Sequence, residues 1–245
     1  IGNRGTFDPN NPNILFARSD NEVCNHAIRQ LSAGRAVDVD PGIVTQNALI
    51  VHPIARRLPA DIDFGIVSRI EPPAKGEKYY RGTFTRTDGS TFDAPLSDEV
   101  INQGRALFSP SRNFIGSLRF GTLGVTSIDQ AIKTLGGEVH HEAVHAIWRR
   151  LPPSVRSTLA SHADTIGVLD VQMRDYLTLI GDPSWKSAKP DEPIREGYLG
   201  LYKGRGDIKD LLAQESVAHM VELYSHGFVS DELVGPVKGL LDAII

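Results

Sequence analysis

Two histidines four residues apart, with a glutamate beside the first, constrain the stretch GGEVHHEAVHAIWRR from Gly136 to Arg150 more than any other feature of the chain. On an α-helix, positions i and i+4 lie about 40° apart around the axis, so His141 and His145 project to one side and can share a metal ion. Glu142 follows about 100° away, beside the position such an ion keeps open. The opposite arc carries Val139, Ala143, Ala146 and Ile147, apolar residues that need a core. The stretch therefore predicts a helix with one metal-binding face and one packed face. His140 lies near the edge of the apolar arc and stays outside the ligand set. Trp148 reads as a core residue.

The remaining chain is long enough, at 245 residues, to supply that core, as one large domain or two small ones. Its net charge of −4 offers no electrostatic footprint for nucleic acid or for an anionic membrane, and no apolar run approaches the roughly 18 residues of a membrane span. The single cysteine, Cys24, excludes an intramolecular disulfide and reads as a small buried residue. These features describe a soluble protein whose compartment stays open, with the bacterial cytoplasm and delivery into a target cell both compatible. The chain does not begin with Met and opens on an irregular, Asn- and Pro-rich segment, which predicts a piece of a larger polypeptide.

Composition changes near Ser127. Residues 1–19 read as a linker or lead-in. Residues 20–126 form a β-containing part, with a helix over 20–33, strand-like ALIVHPI and DFGIVSRI, and extended NFIGSLRFGTLGVT over 113–126. YYRGTFTRT, the turn Asp88-Gly89 and STFDAPL predict a hairpin. Residues 127–245 form a helical part: IDQAIKTL, GEVHHEAVHAIWRRL, PPSVRSTLASHADTI and VLDVQMRDYLTLI. A loop with Pro183, Pro190 and Pro193 then precedes IKDLLAQESVAHMVELYSHG, the clearest amphipathic helix. The fold expected is α+β, with 20–245 as one compact unit.

That last helix offers a third ligand. A catalytic zinc usually takes three protein ligands and keeps a fourth position for water. Glu215, His219 and Glu222 stand at i, i+4 and i+7 on one face, opposite Val217, Met220, Val221 and Tyr224. Glu192 and Glu196 are fallback ligands without a pre-oriented helix. Of the three on that face, Glu215 matches the ligand glutamate of gluzincin metallopeptidases, whose second helix this one resembles, and that resemblance implies the set His141, His145 and Glu215.

The two helices together resemble those of gluzincin metallopeptidases, in which a glutamate on a second helix completes an H-E-x-x-H site. Glu215-Ser-Val-Ala218-His219 is similar to the Glu-x-x-Ala-acid pattern of the anthrax lethal factor family at Glu and Ala, with His219 where that family commonly has an acid. HEAVHAIWRRLPPSVRSTLASHA also resembles metallopeptidase-like domains of phage polyvalent proteins. GTFDPNNPNILFAR is similar to inter-domain segments of modular polyproteins from phages and mobile elements. A metzincin is excluded, because Trp148 and Leu151 occupy its Gly and third His positions.

The resemblance implies a zincin-like fold, one Zn²⁺ ion, and cleavage of a peptide bond in a protein or peptide substrate, as an effector or toxin module. In that scheme Glu142 is the general base. Tyr202, Tyr198 or His219 is the donor to the developing oxyanion. The lethal factor tyrosine position, seven residues before the ligand glutamate, is Ile208 here, so Tyr202 and His219 stand as candidates without that correspondence. Zincins also lay an extended peptide along an edge strand, for which NFIGSLRFGTLGVT is the candidate. The alternative is a non-catalytic or degenerate zincin-fold binding domain of a phage or mobile-element polyprotein, though an intact Glu142 favours the enzyme.

Overall fold

The structure is a computed structural model that describes residues 14–15, 20–97, 101, 106–118, 128–180 and 189–242. The fold is mixed α+β. The chain divides into two compact units, Ile1–Leu135 and Gly136–Ile245. Among the described residues no helix is long and apolar enough to cross a membrane.

The elements described in the first unit are β1 (Ile14–Leu15), α1 (Asp20–Ser32), β2 (Val37–Val39), α2 (Pro41–Ala55), β3 (Asp63–Glu71), β4 (Tyr80–Thr85), β5 (Thr91–Leu96), β6 (Ala106–Ser109) and β7 (Phe114–Ser117). All seven strands join one sheet with β3 at its centre. Strand β4 pairs antiparallel with β3 along one side and continues to β5. On the other side β7 runs parallel to residues 63–66 of β3, and β2 runs antiparallel to residues 69–70. The expected hairpin forms with Tyr80 opposite Leu96 and Thr85 opposite Thr91, and Gly89 takes a φ of 84° in its turn. Pro95 is tolerated because, among the described residues, β5 is the last strand on its side. Phe84, Phe92 and Phe114 pack together with ring centroids 5.2–5.4 Å apart. The rings lie close against glycine backbone: a Cβ at Gly65 would lie 2.7 Å from Phe92, and one at Gly116 2.6 Å from Phe84.

Two expectations fail in this unit. ALIVHPI is helical, not a strand, because it is the continuation of α2. Asp40 caps that helix by accepting from the backbone N–H groups of Gly42 (2.7 Å) and Ile43 (3.2 Å), and Pro41 stands in its first turn, so a strong local start overrides the β-branched content. NFIGSLRFGTLGVT does not offer a free edge over its described part, since β7 is flanked by β3 and β6. Residues 119–126 of that stretch lie outside the described residues, as do the side chain of Cys24, most of the 1–19 lead-in and Pro183.

The second unit is helical: α3 (Ile128–Trp148, from Gly136 onward), α4 (Pro153–Ile166), α5 (Met173–Ile180), α6 (Ile194–Leu201), α7 (Ile208–Ser225), α8 (Asp231–Val234) and α9 (Lys238–Asp242), with short 3₁₀ turns at Val168–Asp170 and Gly235–Val237. IDQAIKTL and GEVHHEAVHAIW form one helix rather than two. Gly137 inside it has a packing reason: a Cβ there would lie 2.6 Å from Cδ2 of His226 and closer still to its Nε2. Trp148, Leu159, Leu169, Tyr176, Ile194 and Met220 anchor the core of this unit. Trp148 is core, as expected, with Nε1 donating to Asp210 at 3.2 Å.

Helix α7 is buried more fully than its pattern alone requires. The sequence reads it as amphipathic, and the structure buries both of its faces over residues 215–223. Its apolar residues fill the core, and its polar face is buried as well. A buried carboxylate or imidazole needs partners, and the other helices must supply them.

Candidate metal centre

The last two turns of α3 and the middle of α7 bring His141, His145 and Glu215 together, with one ligand-type atom from each lying within 4.8 Å of the others. Oε2 of Glu215 lies 3.4 Å from Nε2 of His141 and 3.5 Å from Nε2 of His145. Ligands bonded at 2.0–2.2 Å to a tetrahedral ion stand about 3.3–3.6 Å apart, so both spacings suit a shared ion. Among the described residues no hydrogen bond reaches this buried oxygen. A carboxylate oxygen removed from water and left unbonded is costly, and a cation between it and two imidazoles removes that cost. The donor set of two nitrogens and one oxygen fits the group.

The other oxygen of Glu215 is held separately. Tyr202, which follows the last turn of α6, donates its hydroxyl to Oε1. Burial first, and then the charges of Glu215 and Glu142, push the Tyr202 phenol up, so it remains a protonated donor. Glu142 is half-buried and close enough to Tyr202 to act on it electrostatically. Tyr202 stacks on Tyr198 with ring centroids 5.7 Å apart.

The far side of His141 is also occupied. Its Nδ1 lies 3.1 Å from Oε2 of the fully buried Glu222. Burial would push the His141 imidazole down, but the carboxylates of Glu215 and Glu222 raise it to about 10 in the absence of a competing cation. Burial likewise works to raise Glu215, yet His145 and His141 hold its carboxyl well below the usual range.

His219 is 1% exposed and does not join the triad. Its Nε2 lies 2.9 Å from the Tyr198 hydroxyl and its Nδ1 2.8 Å from the Tyr176 hydroxyl, so both ring nitrogens are engaged within the unit. Burial pushes its pKa down, which favours the neutral ring. His140 is buried with Nδ1 2.9 Å from Ser225 Oγ, outside the triad as expected. Glu192 pairs with Lys189 at 2.7 Å and Glu196 is exposed, so neither fallback ligand joins the cluster.

Sequence reasoning placed Glu222 on the correct face but gave it no role, and it missed Tyr176. The signal for Glu222 was its i+7 spacing from Glu215. Tyr176 gave none, because its partners lie 43 and 46 residues away. Comparison of the chain with protein-family models, curated proteins and solved structures finds no match.

Proposed function

We propose that this chain is a zinc-dependent peptidase domain of gluzincin type and zincin-like fold, which cleaves peptide bonds in a protein target as an effector module of a larger protein. The observation that carries the reading is the convergence of His141, His145 and the unbonded Oε2 of Glu215, on a helix pair that also bears Glu142. When bound, zinc would supply a Lewis acid and a lowered water pKa at neutral pH. His141 and His145 would present their Nε2 atoms as ligands. Glu215 would present Oε2, while Tyr202 holds Oε1 away from it.

Glu142 follows ligand His141 directly in sequence. As general base it takes a proton from the attacking water and returns it to the leaving amine. Before Glu142 takes that proton, burial together with the charges of Glu215 and Glu142 favours the protonated form of Tyr202, which keeps that phenol a donor to Glu215. A structural metal needs no general base beside it, so Glu142 favours a hydrolase over a metal-stabilised binding domain.

The test is direct. Protein purified without added zinc should carry about one equivalent of the metal, as a single three-ligand site requires. It should also cleave a quenched-fluorescent unfolded protein, stop on treatment with a chelator, and recover when zinc is restored. A chain that holds no metal and cleaves nothing ends the proposal.

A further inference from the structure

Three tyrosine hydroxyls meet the buried polar face of α7. Tyr202 bonds Glu215, Tyr198 bonds His219 and Tyr176 bonds Glu222. The first holds the ligand Glu215. The others form a chain that the proposed reaction does not use, and its proton directions can be worked out.

An ionised carboxylate only accepts, so the Tyr176 hydroxyl donates to Oε2 of Glu222. The Tyr176 oxygen in turn accepts, which places a proton on Nδ1 of His219, 2.8 Å away. A neutral imidazole has one donor and one acceptor nitrogen, so Nε2 of His219 accepts from the Tyr198 hydroxyl at 2.9 Å. At the other end, Oε2 of Glu222 accepts from Nδ1–H of His141 at 3.1 Å. That proton leaves Nε2 of His141, the nitrogen facing Glu215, as the one with a lone pair for a metal. Every link agrees with the next.

We propose that Glu222 is a positioning residue that fixes His141 in its ligand tautomer, held in place by Tyr176, His219 and Tyr198 through this one-directional chain. His141, His219 and Glu222 also bring ligand-type atoms within 4.8 Å of one another. The chain uses those atoms for protons, so the centre takes one ion and not two. His219 thereby acts on the metal centre through Tyr176 and Glu222 rather than on a substrate. The inference rests on the metal reading above.

The experiment uses the full chain, zinc titrated against a competing chelator, and nitrogen-15 NMR of the histidine rings. In metal-free protein His219 should show a protonated Nδ1 and a bare Nε2. The wild type should bind one zinc, and Glu222→Gln and Tyr176→Phe should each bind it about 10- to 100-fold more weakly. In zinc-loaded Glu222→Gln the Nδ1 proton of His141 should move upfield, which a purely structural role would not cause. Should Glu222→Gln fail to fold, Tyr176→Phe carries the affinity test, since its ring still fills the core. Wild-type affinity in the folded variants, a proton on Nε2 of His219, or a second bound zinc overturns the positioning chain while leaving the metal centre intact. A wild-type chain that takes no zinc overturns both.

Discussion

Nδ1 of His141 lies 3.1 Å from Oε2 of Glu222, and Nε2 of the same ring lies 3.4 Å from Oε2 of Glu215. One imidazole thus stands between two buried carboxylates. Without a metal, that arrangement favours an imidazolium. With a metal at Nε2, a neutral ring bonded to Glu222 satisfies the same groups.

The first prediction follows from that exchange. In the metal-free protein the His141 pKa rises from 6.5 to about 10 on folding. A raised folded pKa contributes stability that is fully present below pH 6.5 and is lost as the pH climbs towards about 10. Glu215, depressed from 4.5, contributes stability that is lost as the pH falls below that value. Urea midpoints of metal-free protein should therefore peak between these limits and decline on the alkaline side. Zinc binding near pH 7 should release about one proton, measurable by titration calorimetry in buffers of different ionisation enthalpy. Flat midpoints across the alkaline range, with no proton released, would contradict the placement of His141 between two carboxylates.

His145→Ala removes one of the two nitrogens facing Oε2 of Glu215. Metal content should fall well below one equivalent, with affinity reduced by at least the 10- to 100-fold typical of losing even an outer partner. Elemental analysis after gel filtration reads this. Unchanged metal in this variant would mean that the ion lies elsewhere.

Glu142→Gln separates base from ligand. The substitution keeps the volume and leaves His141, His145 and Glu215 alone, so zinc should remain bound. Hydrolysis should drop by roughly two to four orders of magnitude, the usual worth of a general base. Full activity in this variant would eliminate the mechanism, and loss of zinc would give Glu142 a structural role.

Gly137→Ala tests the packing of α3 against the turn after α7. Alanine is the better helix former by about 1 kcal/mol, so an exposed position would gain stability. Here the added Cβ would lie 2.6 Å from Cδ2 of His226, and forcing such an overlap costs about 1–3 kcal/mol. The variant should melt at or below the wild-type temperature by calorimetry. A clear rise in melting temperature would show that His226 moves aside freely.

The α3 helix, its two-faced character and the β4–β5 hairpin were legible in the residues because each is set by local geometry. The angular step of a helix decides which side His141 and His145 share, and Asp88-Gly89 decides the turn whatever lies beyond it. The same angular step put Glu215, His219 and Glu222 on one face. It could not tell which of the three meets the paired histidines, because that depends on how far along the two helices cross. Packing decided it: Glu215 faces Nε2 of His141 and His145, Glu222 faces Nδ1, and His219 turns to Tyr176 and Tyr198. Burial of residues 215–223 on both faces was equally hidden, since the helical pattern alone does not supply the partners a buried polar face needs. Those partners are hydroxyls from α5 and the end of α6, 13 to 46 residues away along the chain, and only tertiary structure brings them to the carboxylates and imidazole they satisfy.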